Sequence, residues 1–167
     1  GNVAQFAAEK CIQLSAKVVS LSDSSGFIHD SDGINMDKLH YVMDLKNNKR
    51  GRISEYLKKY PKARFYKNKT PWNIACHIAL PCATQNELNK NDAESLINNG
   101  CICISEGANM PCTPDAIATF RKNKILYAPG KASNAGGVAV SGLEMAQNSL
   151  RYSWTREEVD NKLKDII

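Results

Sequence analysis

The chain has 167 residues, which is enough for one α/β domain and leaves little room for a second core. Hydrophobic residues make up 43% of it, which excludes an intrinsically disordered chain, and no apolar run approaches the roughly 18 residues that a membrane span needs. The net charge is +5, and the only dense basic run, residues 46–52, is typical of a solvated face, so neither a membrane nor a nucleic acid is expected as a partner.

In the first half of the chain, the spacing of apolar residues predicts three helices and one strand. The helices are expected at Val3–Ser15, Met36–Lys46 and Arg52–Tyr60, the second with Asn35 as its N-cap. The strand is expected at Lys17–Leu21, and the polar, glycine-containing stretch Ser22–Gly26 is expected to end it.

In the second half, short apolar strands alternate with helices. The strands are expected at Cys76–Leu80, Cys101–Ser105 and Ile125–Ala128. The helices are expected at Asn91–Asn99, Thr113–Asn123, Val138–Tyr152 and from Thr155 onward. The Gly-rich stretch Pro129–Gly137 is predicted to be a loop that leads into the third of these helices.

This alternation is typical of βαβ units, so the predicted fold is α/β, with a Rossmann-like, mostly parallel sheet flanked by helices. A loop of small and polar residues follows each strand. Ligands of open parallel sheets bind at the carboxyl ends of the strands. We therefore expect four loops, at residues 22–26, 81–85, 106–111 and 129–137, to line one crevice.

The first residues of the chain carry a weak signal for nucleotide binding. Gly1-Asn2-Val3-Ala4 matches the tail of a GxGxxA fingerprint, in which glycine lets the backbone approach a pyrophosphate at a helix N-terminus. Asp23 lies about twenty residues further on, where that fingerprint expects an acidic contact to ribose. The alternative interpretation is an ordinary glycine before a helix and an ordinary turn aspartate.

The six cysteines indicate no metal site. They form no CxxC pair and have no histidines at zinc-ligand spacing. We interpret them as reduced, mostly buried thiols, which favours a reducing compartment. The cytoplasm is the expected location, with an organelle as the alternative.

Three longer motifs make a family recognisable. The stretches PCATQNE at residues 81–87, EGANMP at 106–111 and KASNAGGVAVSGLEM at 131–145 resemble the NADP-type, hexameric glutamate dehydrogenases of the glutamate/leucine/phenylalanine/valine dehydrogenase family. The resemblance covers the whole chain in order. It implies a first strand before Gly1, and catalytic lysine and aspartate residues in an N-terminal domain. No catalytic residue is therefore expected within these 167 residues.

The resemblance also implies ligands and domains. The cofactor would be NADP(H), the substrates L-glutamate, 2-oxoglutarate and ammonia, and the parent enzyme a homohexamer. Residues 1–152 would form the NADP-binding domain, and residues 153–167 would begin a C-terminal helical segment. By itself the chain is expected to bind cofactor weakly and to have no turnover.

Site roles follow from the resemblance residue by residue. Gly1, Asn2 and Val3 would lie at the cofactor pyrophosphate. Ser24, Lys46 and Arg52 would hold the 2′-phosphate, because a lysine and a forked arginine supply both charge and geometry. Asp23 beside them is an awkward member of the set, since a carboxylate repels a phosphate.

Further positions complete the expected site. Ala83, Thr84 and Gln85 would pass beside the ribose and pyrophosphate. Gly107 and Asn109 belong to the second motif, with Asn109 near the nicotinamide ribose. Asn134 would reach the nicotinamide amide. Val138 and Ser141 would begin the following helix and contact the substrate, whose side-chain carboxylate the Ser141 hydroxyl could bind.

Two other functions compete with this one. A leucine, phenylalanine or valine dehydrogenase of the same family is the nearest alternative, but an apolar substrate pocket has no use for the hydroxyl of Ser141. A non-catalytic nucleotide-binding module is the alternative from a different class. His77, on a strand where relatives usually carry aspartate, is interpreted as a structural substitution.

Overall fold

A computed structural model describes all 167 residues. It contains seven α-helices and six strands. The helices are α1 (Asn2–Gln13), α2 (Met36–Met43), α3 (Lys90–Asn98), α4 (Pro114–Lys122), α5 (Gly130–Ser133), α6 (Ala135–Leu150) and α7 (Arg156–Ile166). The strands are β1 (Val18–Asp23), β2 (Gly26–Ile34), β3 (Arg64–Lys67), β4 (Ile78–Ala79), β5 (Cys103–Ser105) and β6 (Leu126–Ala128). A π-helical turn covers Asp44–Asn48, and 3₁₀ helices cover Ile53–Lys58 and Pro71–Asn73.

The second half of the chain forms a parallel sheet with the order β4-β5-β6. Helix α3 connects β4 to β5, and α4 connects β5 to β6, so the predicted βαβ units are present. Thr113 caps α4 and Pro114 opens it, as the sequence predicts. The α/β class, with a parallel sheet flanked by helices, is confirmed.

The first half forms a separate antiparallel sheet with the order β1-β2-β3. Strands β2 and β3 are absent from the sequence-based prediction, so the parallel arrangement holds for only one of the two sheets. Residues 22–26 do not simply end a strand. They form a tight hairpin in which Asp23 pairs with Gly26 and the loop is Ser24-Ser25.

Each sheet has its own hydrophobic core. The antiparallel sheet packs against α1, α2 and the 3₁₀ helix that follows them, around residues such as Ile28, Leu39 and Tyr56. The parallel sheet packs against α3 and α4, around Ile104 and Phe120. The buried residues thus fall into two clusters, not one continuous core.

An apolar groove of about 700 Å³ separates the two sheets. Residues of β1 border one side, residues of β4 border the other, and the apolar positions of α1, such as Ala4 and Ala8, also line it. Strands β1 and β4 each have a single neighbour in their sheets, so each has an unpaired edge. The groove is therefore open to a further strand between β1 and β4.

The C-terminal helices differ from their predicted extents. The stretch Pro129–Gly137 is not a loop, because α5 occupies residues 130–133 and α6 begins at Ala135. Neither α6 nor α7 buries a residue. The expected domain boundary at residue 152 falls in the turn between these two helices, which pack on each other. No helix combines the length and apolar character that crossing a membrane requires.

Candidate cofactor cleft

A second cleft, of about 490 Å³, opens where α1 begins and where the strands of the parallel sheet end. Its walls come from the first turns of α1, from the loops after β4 and β5, and from the segment that joins α5 to α6. The lining includes Val3, Cys82, Glu106, Gly107, Ser133 and Asn134. Three of the four loops expected to share one crevice therefore do so. The fourth, the hairpin loop after β1, is not part of this lining.

The N-terminal end of α1 offers free hydrogen-bond donors. Gly1 is the N-cap, and the first N–H in the helical ladder is that of Gln5, which donates to the Gly1 carbonyl at 3.2 Å. The N–H groups of Asn2, Val3 and Ala4 therefore have no partner within the helix. The first turn contains no acidic side chain. Together with the helix dipole, these donors favour an anion at this position.

Gly107 holds the floor of the cleft close to α1. Its N–H and that of Ala108 donate to the Pro81 carbonyl at 3.0 and 3.1 Å, which joins the β5 loop to the β4 loop. A Cβ at position 107 would lie 2.5 Å from the Cys82 Sγ and 3.0 Å from the Val3 Cγ1. Only glycine allows this approach, so the structure gives Gly107 a packing role at the expected cofactor site.

The loop after β4 is braced from inside by Glu87. Its Oε1 accepts a hydrogen bond from the Ala83 N–H at 2.8 Å. Burial raises the pKa of Glu87, against the lowering effect of backbone donors from Ala83 and Thr84. Since both N–H groups point at Glu87, the polar groups that this loop leaves free are carbonyl and side-chain atoms. Ala83, Thr84 and Gln85 are all exposed, as a contact with ribose would require.

The loops after β4 and β5 continue side by side beyond the cleft. The Asn86 and Leu88 N–H groups donate to the carbonyls of Met110 and Pro111, each at 3.0 Å. The Thr113 N–H returns a bond to the Leu88 carbonyl, and Leu88 pairs with Cys112 in a parallel bridge. This short ladder, which we call the loop ladder, fixes the two loops to each other.

Asn134 lies at the cleft, where the resemblance expects a contact with the nicotinamide amide. Its Nδ2 donates to the Ala108 carbonyl at 3.1 Å and to the Gly107 carbonyl at 3.4 Å. The donors of the side chain are thus used within the protein, and its Oδ1 is left as an acceptor. Asn109, expected near the nicotinamide ribose, is exposed on the neighbouring loop and makes no side-chain hydrogen bond.

Asp23 is enclosed by donors at the end of β1. Its Oδ1 accepts from the Ser25 N–H and hydroxyl at 2.8 and 2.6 Å, and its Oδ2 accepts from the Lys46 Nζ at 2.8 Å and the Ile53 N–H at 2.9 Å. Burial acts to raise the pKa of Asp23, but the bonds from Lys46, Ser25 and the Ile53 N–H hold that pKa well below its usual range. The negative charge that made Asp23 an awkward neighbour for a phosphate is therefore matched inside the protein.

Lys46 and Arg52 are not equivalent in this structure. The Lys46 ammonium bonds Asp23 and the Gly51 carbonyl, each at 2.8 Å, which uses two of its three donors. The Arg52 Nη1 donates to the Ser24 Oγ at 2.8 Å, and both of these side chains are exposed at the hairpin loop. The expected phosphate residues thus lie together, with Ser24 and Arg52 outermost and Lys46 behind them.

Val138 and Ser141 lie on α6, outside the lining of the cleft. Because α6 begins at Ala135, the expectation that these residues start the helix is wrong. Ser141 lies in the second turn, where its hydroxyl donates to the Gly137 carbonyl at 3.1 Å. The helix dipole favours an anion only within the first turn, so it supports Gly136 and Gly137, which do line the cleft, more than Ser141.

The structure shows neither a cluster of metal-binding side chains nor a disulfide. No group of three or more His, Cys, Asp or Glu side chains could hold a metal ion, and all six cysteines are free. Three residues at the site were not predicted from the sequence: Ser25, Glu87 and Glu106. Only Glu106 is fully buried, and a carboxylate inside a Gly-rich motif is the one signal that could have identified it.

With this geometry in view, the class of protein is clear. The family model for glutamate/leucine/phenylalanine/valine dehydrogenases matches residues 1–167, and the chain belongs to that family. This confirms the resemblance found in the three motifs.

Within this family, the relatives described next are glutamate dehydrogenases. The chain is 60% identical to a glutamate dehydrogenase of Bacteroides thetaiotaomicron and 59% identical to an NAD(P)-specific glutamate dehydrogenase of Xylanibacter ruminicola, in each case over all of this chain and 37% of the relative. The crystal structure of Plasmodium falciparum glutamate dehydrogenase superimposes with a TM-score of 0.94 at 50% identity, over 99% of this chain and 36% of that one. The chain therefore spans little more than a third of the length of the curated relatives it matches.

Proposed function

We propose that this chain is the nucleotide-binding part of an NADP(H)-dependent glutamate dehydrogenase, which interconverts L-glutamate with 2-oxoglutarate and ammonia. The observation that carries the proposal is the pairing of two anion sites. One is the free N-terminal turn of α1 at the cleft, and the other is the exposed Ser24–Arg52 pair at the hairpin loop. A dinucleotide with a 2′-phosphate has anionic groups for both.

The residues present fit this cofactor. The N–H groups of Asn2 and Val3 would receive the pyrophosphate, and the missing side chain of Gly107 gives the backbone room to approach α1. The exposed backbone of Ala83 and Thr84 would face the ribose with acceptor atoms, because its donors are taken by Glu87. The free Oδ1 of Asn134 would accept a bond from the nicotinamide carboxamide.

The 2′-phosphate would bind to Arg52 and Ser24 first. Asp23 does not oppose this, since four hydrogen bonds and the Lys46 charge compensate its carboxylate. The relatives support NADP without excluding NAD. Those from Giardia intestinalis and Haemophilus influenzae are named NADP-specific, whereas one from Bacteroides fragilis is named NAD-specific.

The proposed reaction needs catalytic groups in addition to the residues of this chain. The cofactor supplies a hydride acceptor or donor, while proton transfer at the α-carbon requires an acid and a base. By family resemblance, a lysine and an aspartate of another domain would do this, and Val138 and Ser141 would contact the substrate from α6. A homohexameric parent enzyme in the cytoplasm is part of the same proposal.

The test is a fluorescence titration of the intact protein with NADPH and with NADH. Loss of a charge-assisted hydrogen bond to phosphate should weaken NADPH binding by about 10- to 100-fold in Arg52→Ala and leave NADH binding unchanged. Arg50→Ala is the matched control, because Arg50 is an exposed arginine two residues away from Arg52. It should bind both nucleotides like the wild type.

Other outcomes have distinct meanings. Stronger binding of NADH than NADPH by the wild type would contradict the cofactor proposal and indicate that Asp23 contacts a ribose hydroxyl. Nucleotide binding without any oxidation of NADPH in the presence of 2-oxoglutarate and ammonia, even after the domain with the catalytic residues is added, would favour the non-catalytic module. Turnover with 2-oxo derivatives of leucine or phenylalanine, but not with 2-oxoglutarate, would indicate a sister dehydrogenase.

A further inference from the structure

Glu106 is a buried carboxylate without a cationic partner. It follows β5, its exposed fraction is 3%, and it takes part in none of the ion pairs of the structure. Its Oε2 accepts from the Gly130 N–H at 2.7 Å, and its Oε1 accepts from the Cys112 N–H at 3.3 Å. Burying a polar side chain is costly unless its atoms are hydrogen-bonded, so these bonds offset part of the desolvation penalty.

These bonds join the two walls of the cofactor cleft. Gly130 opens α5, the short helix that carries Asn134 at its C-terminal end, whereas Cys112 closes the loop after β5. The main-chain carbonyl of Glu106 adds a third connection, since it accepts from the Ser133 hydroxyl at 2.6 Å. One residue therefore sets the position of α5 against the β5 loop.

Asn134 lies at the point where these walls meet. Its Nδ2 reaches the Ala108 and Gly107 carbonyls only while α5 and the β5 loop keep this relative position. The contact is tight, because a Cβ at Gly130 would lie 2.9 Å from the Ala108 carbonyl oxygen, 3.3 Å from the Asn134 Nδ2 and 3.4 Å from the Glu106 Oε2. A small displacement of α5 would thus turn the Asn134 amide away from its present orientation.

We infer that Glu106 is a positioning residue for the nicotinamide end of the cleft, acting through Asn134 and without touching the cofactor. This inference rests on the proposed function, which places nicotinamide at Asn134. By holding α5 to the β5 loop, Glu106 keeps the Asn134 donors on the protein carbonyls and its Oδ1 free for the carboxamide. The adenosine end of the cofactor, at the hairpin loop, is independent of these bonds.

Two further side chains next to Glu106, those of Cys112 and Tyr127, can donate hydrogen bonds to it. Burial is the main cause that raises the pKa of the Cys112 thiol and of the Tyr127 hydroxyl. The neighbouring Glu106 side chain raises both pKa values further. Both groups stay protonated across the physiological range, so each can serve as an additional donor to Glu106.

The test compares two probes on the intact protein. NADPH would contact both the hairpin loop and the cleft, whereas adenosine 2′,5′-bisphosphate would contact only the hairpin loop. Glu106→Gln keeps the size of the side chain but replaces one acceptor oxygen with an NH₂ group that faces a backbone donor. We expect it to weaken NADPH binding about tenfold, as for the loss of one well-placed hydrogen bond, and to leave the bisphosphate within about twofold of wild type.

Asp30→Asn is the matched control. Asp30 is the other fully buried aspartate or glutamate, at 2% exposure, and it binds Lys38 and Tyr56 in the core of the antiparallel sheet. This substitution should lower the melting temperature but leave the ratio of the two dissociation constants unchanged. If Glu106→Gln does not fold, Glu106→Asp replaces it, because aspartate keeps the charge but is too short to reach both loops.

A double-mutant cycle with Asn134→Ala tests whether Glu106 acts through Asn134. In the Asn134→Ala background, Glu106→Gln should no longer change the ratio of NADPH to bisphosphate affinity. Additive effects of the two substitutions, or equal weakening of both probes by Glu106→Gln, would overturn the inference while leaving the proposed function intact. A wild-type protein that binds neither probe would instead overturn the proposed function, and the inference with it.

Discussion

The Asp23 cluster shows how one residue can carry opposite meanings in sequence and in structure. An aspartate at the end of β1 is the residue that binds ribose hydroxyls in NAD-binding folds. In this chain its oxygens are occupied by Ser25, Lys46 and the Ile53 N–H. We interpret Asp23 as the residue whose hydrogen bonds fix the hairpin to the segment that carries Arg52. Its effect on the cofactor would therefore be indirect.

This arrangement predicts a pH-dependent contribution of Asp23 to stability. Asp23→Asn replaces an acceptor oxygen with an amide among four donors, and we expect the free energy of unfolding at pH 7 to fall by about 1–3 kcal/mol. Because the pKa of Asp23 is lowered in the folded state, its contribution is fully present above the unfolded pKa of about 4 and is lost as the pH falls toward the folded value.

Urea unfolding of wild type and Asp23→Asn between pH 8 and pH 3 measures this contribution. The difference between the two should be constant above about pH 5 and shrink below about pH 4. Lys49 and Asp44 form a solvent-exposed ion pair, so Asp44→Asn is the control, expected to leave the free energy of unfolding nearly unchanged at every pH. A difference for Asp23→Asn that grows as the pH falls would show that its pKa is not lowered.

At the scale of elements, the N-terminal ends of three helices were among the most predictable features. Asn35 caps α2 as predicted, and Thr113 and Thr155, where the sequence predicts helix starts, also act as N-caps. A side-chain acceptor before an amphipathic run acts locally. The strands of the parallel sheet were also found, although each is shorter than its apolar run. These signals lie within a few residues of one another, which is why sequence alone could predict them.

Strand β2 could not be predicted, for an equally physical reason. Its centre carries polar residues, and the buried Asp30 is acceptable there only because Lys38 and Tyr56, eight and 26 residues away, bind it. The helical state of residues 130–137 was missed because it depends on Glu106 and Ser133, which bond across 24 and 27 residues. The positions of Lys46 and Asn134 were predicted from resemblance, but their present hydrogen bonds were not.

The hairpin between β1 and β2 depends on Gly26. Its φ of +141° disfavours other residues, and a Cβ there would overlap the carbonyl oxygen of Tyr66 on β3. We expect Gly26→Ala to lower the free energy of unfolding by more than about 2 kcal/mol and to disturb the Ser24–Arg52 pair. Chemical denaturation gives the first quantity, and NADPH titration reports the second.

A substitution at Gly100 separates the effect of backbone strain from the effect of a steric clash. It has a φ of +88°, but a Cβ added there would meet no atom within 4 Å, so Gly100→Ala carries backbone strain without a clash. Gly100→Ala should lower the free energy of unfolding by about 1 kcal/mol and leave nucleotide binding unchanged. Equal effects of the two alanine substitutions would argue that packing of β3 against Gly26 is unimportant.

At the scale of the whole molecule, the division into two sheets is the main departure from the predicted fold. The groove between β1 and β4 is lined mostly by hydrophobic residues, and both bordering strands lack a partner on one edge. An apolar strand in this groove would join the two sheets and the two cores. The Rossmann-like sheet expected from the resemblance would then be continuous.

A chain extended by the strand that the resemblance implies before Gly1 should accordingly be more stable than the 167-residue chain. Each Val or Ile side chain buried in the groove adds about 1.5–3 kcal/mol, so the gain should be at least a few kcal/mol. Thermal unfolding and binding of a hydrophobic dye measure it, with dye binding expected only in the shorter chain. The control is an extended chain with aspartates at the inward positions of the strand, and equal stability of all three chains would contradict the prediction.

The loop ladder has a consequence for protein engineering. Because Leu88 and Cys112 pair, and the neighbouring backbone groups of residues 86–88 and 110–113 bond each other, the loops after β4 and β5 behave as one piece. A chimaera that imports the first loop with a different backbone path, from a relative with another coenzyme preference, would displace the second loop through these backbone bonds. Grafts between family members should therefore move residues 81–89 and 106–113 together, as a single cassette.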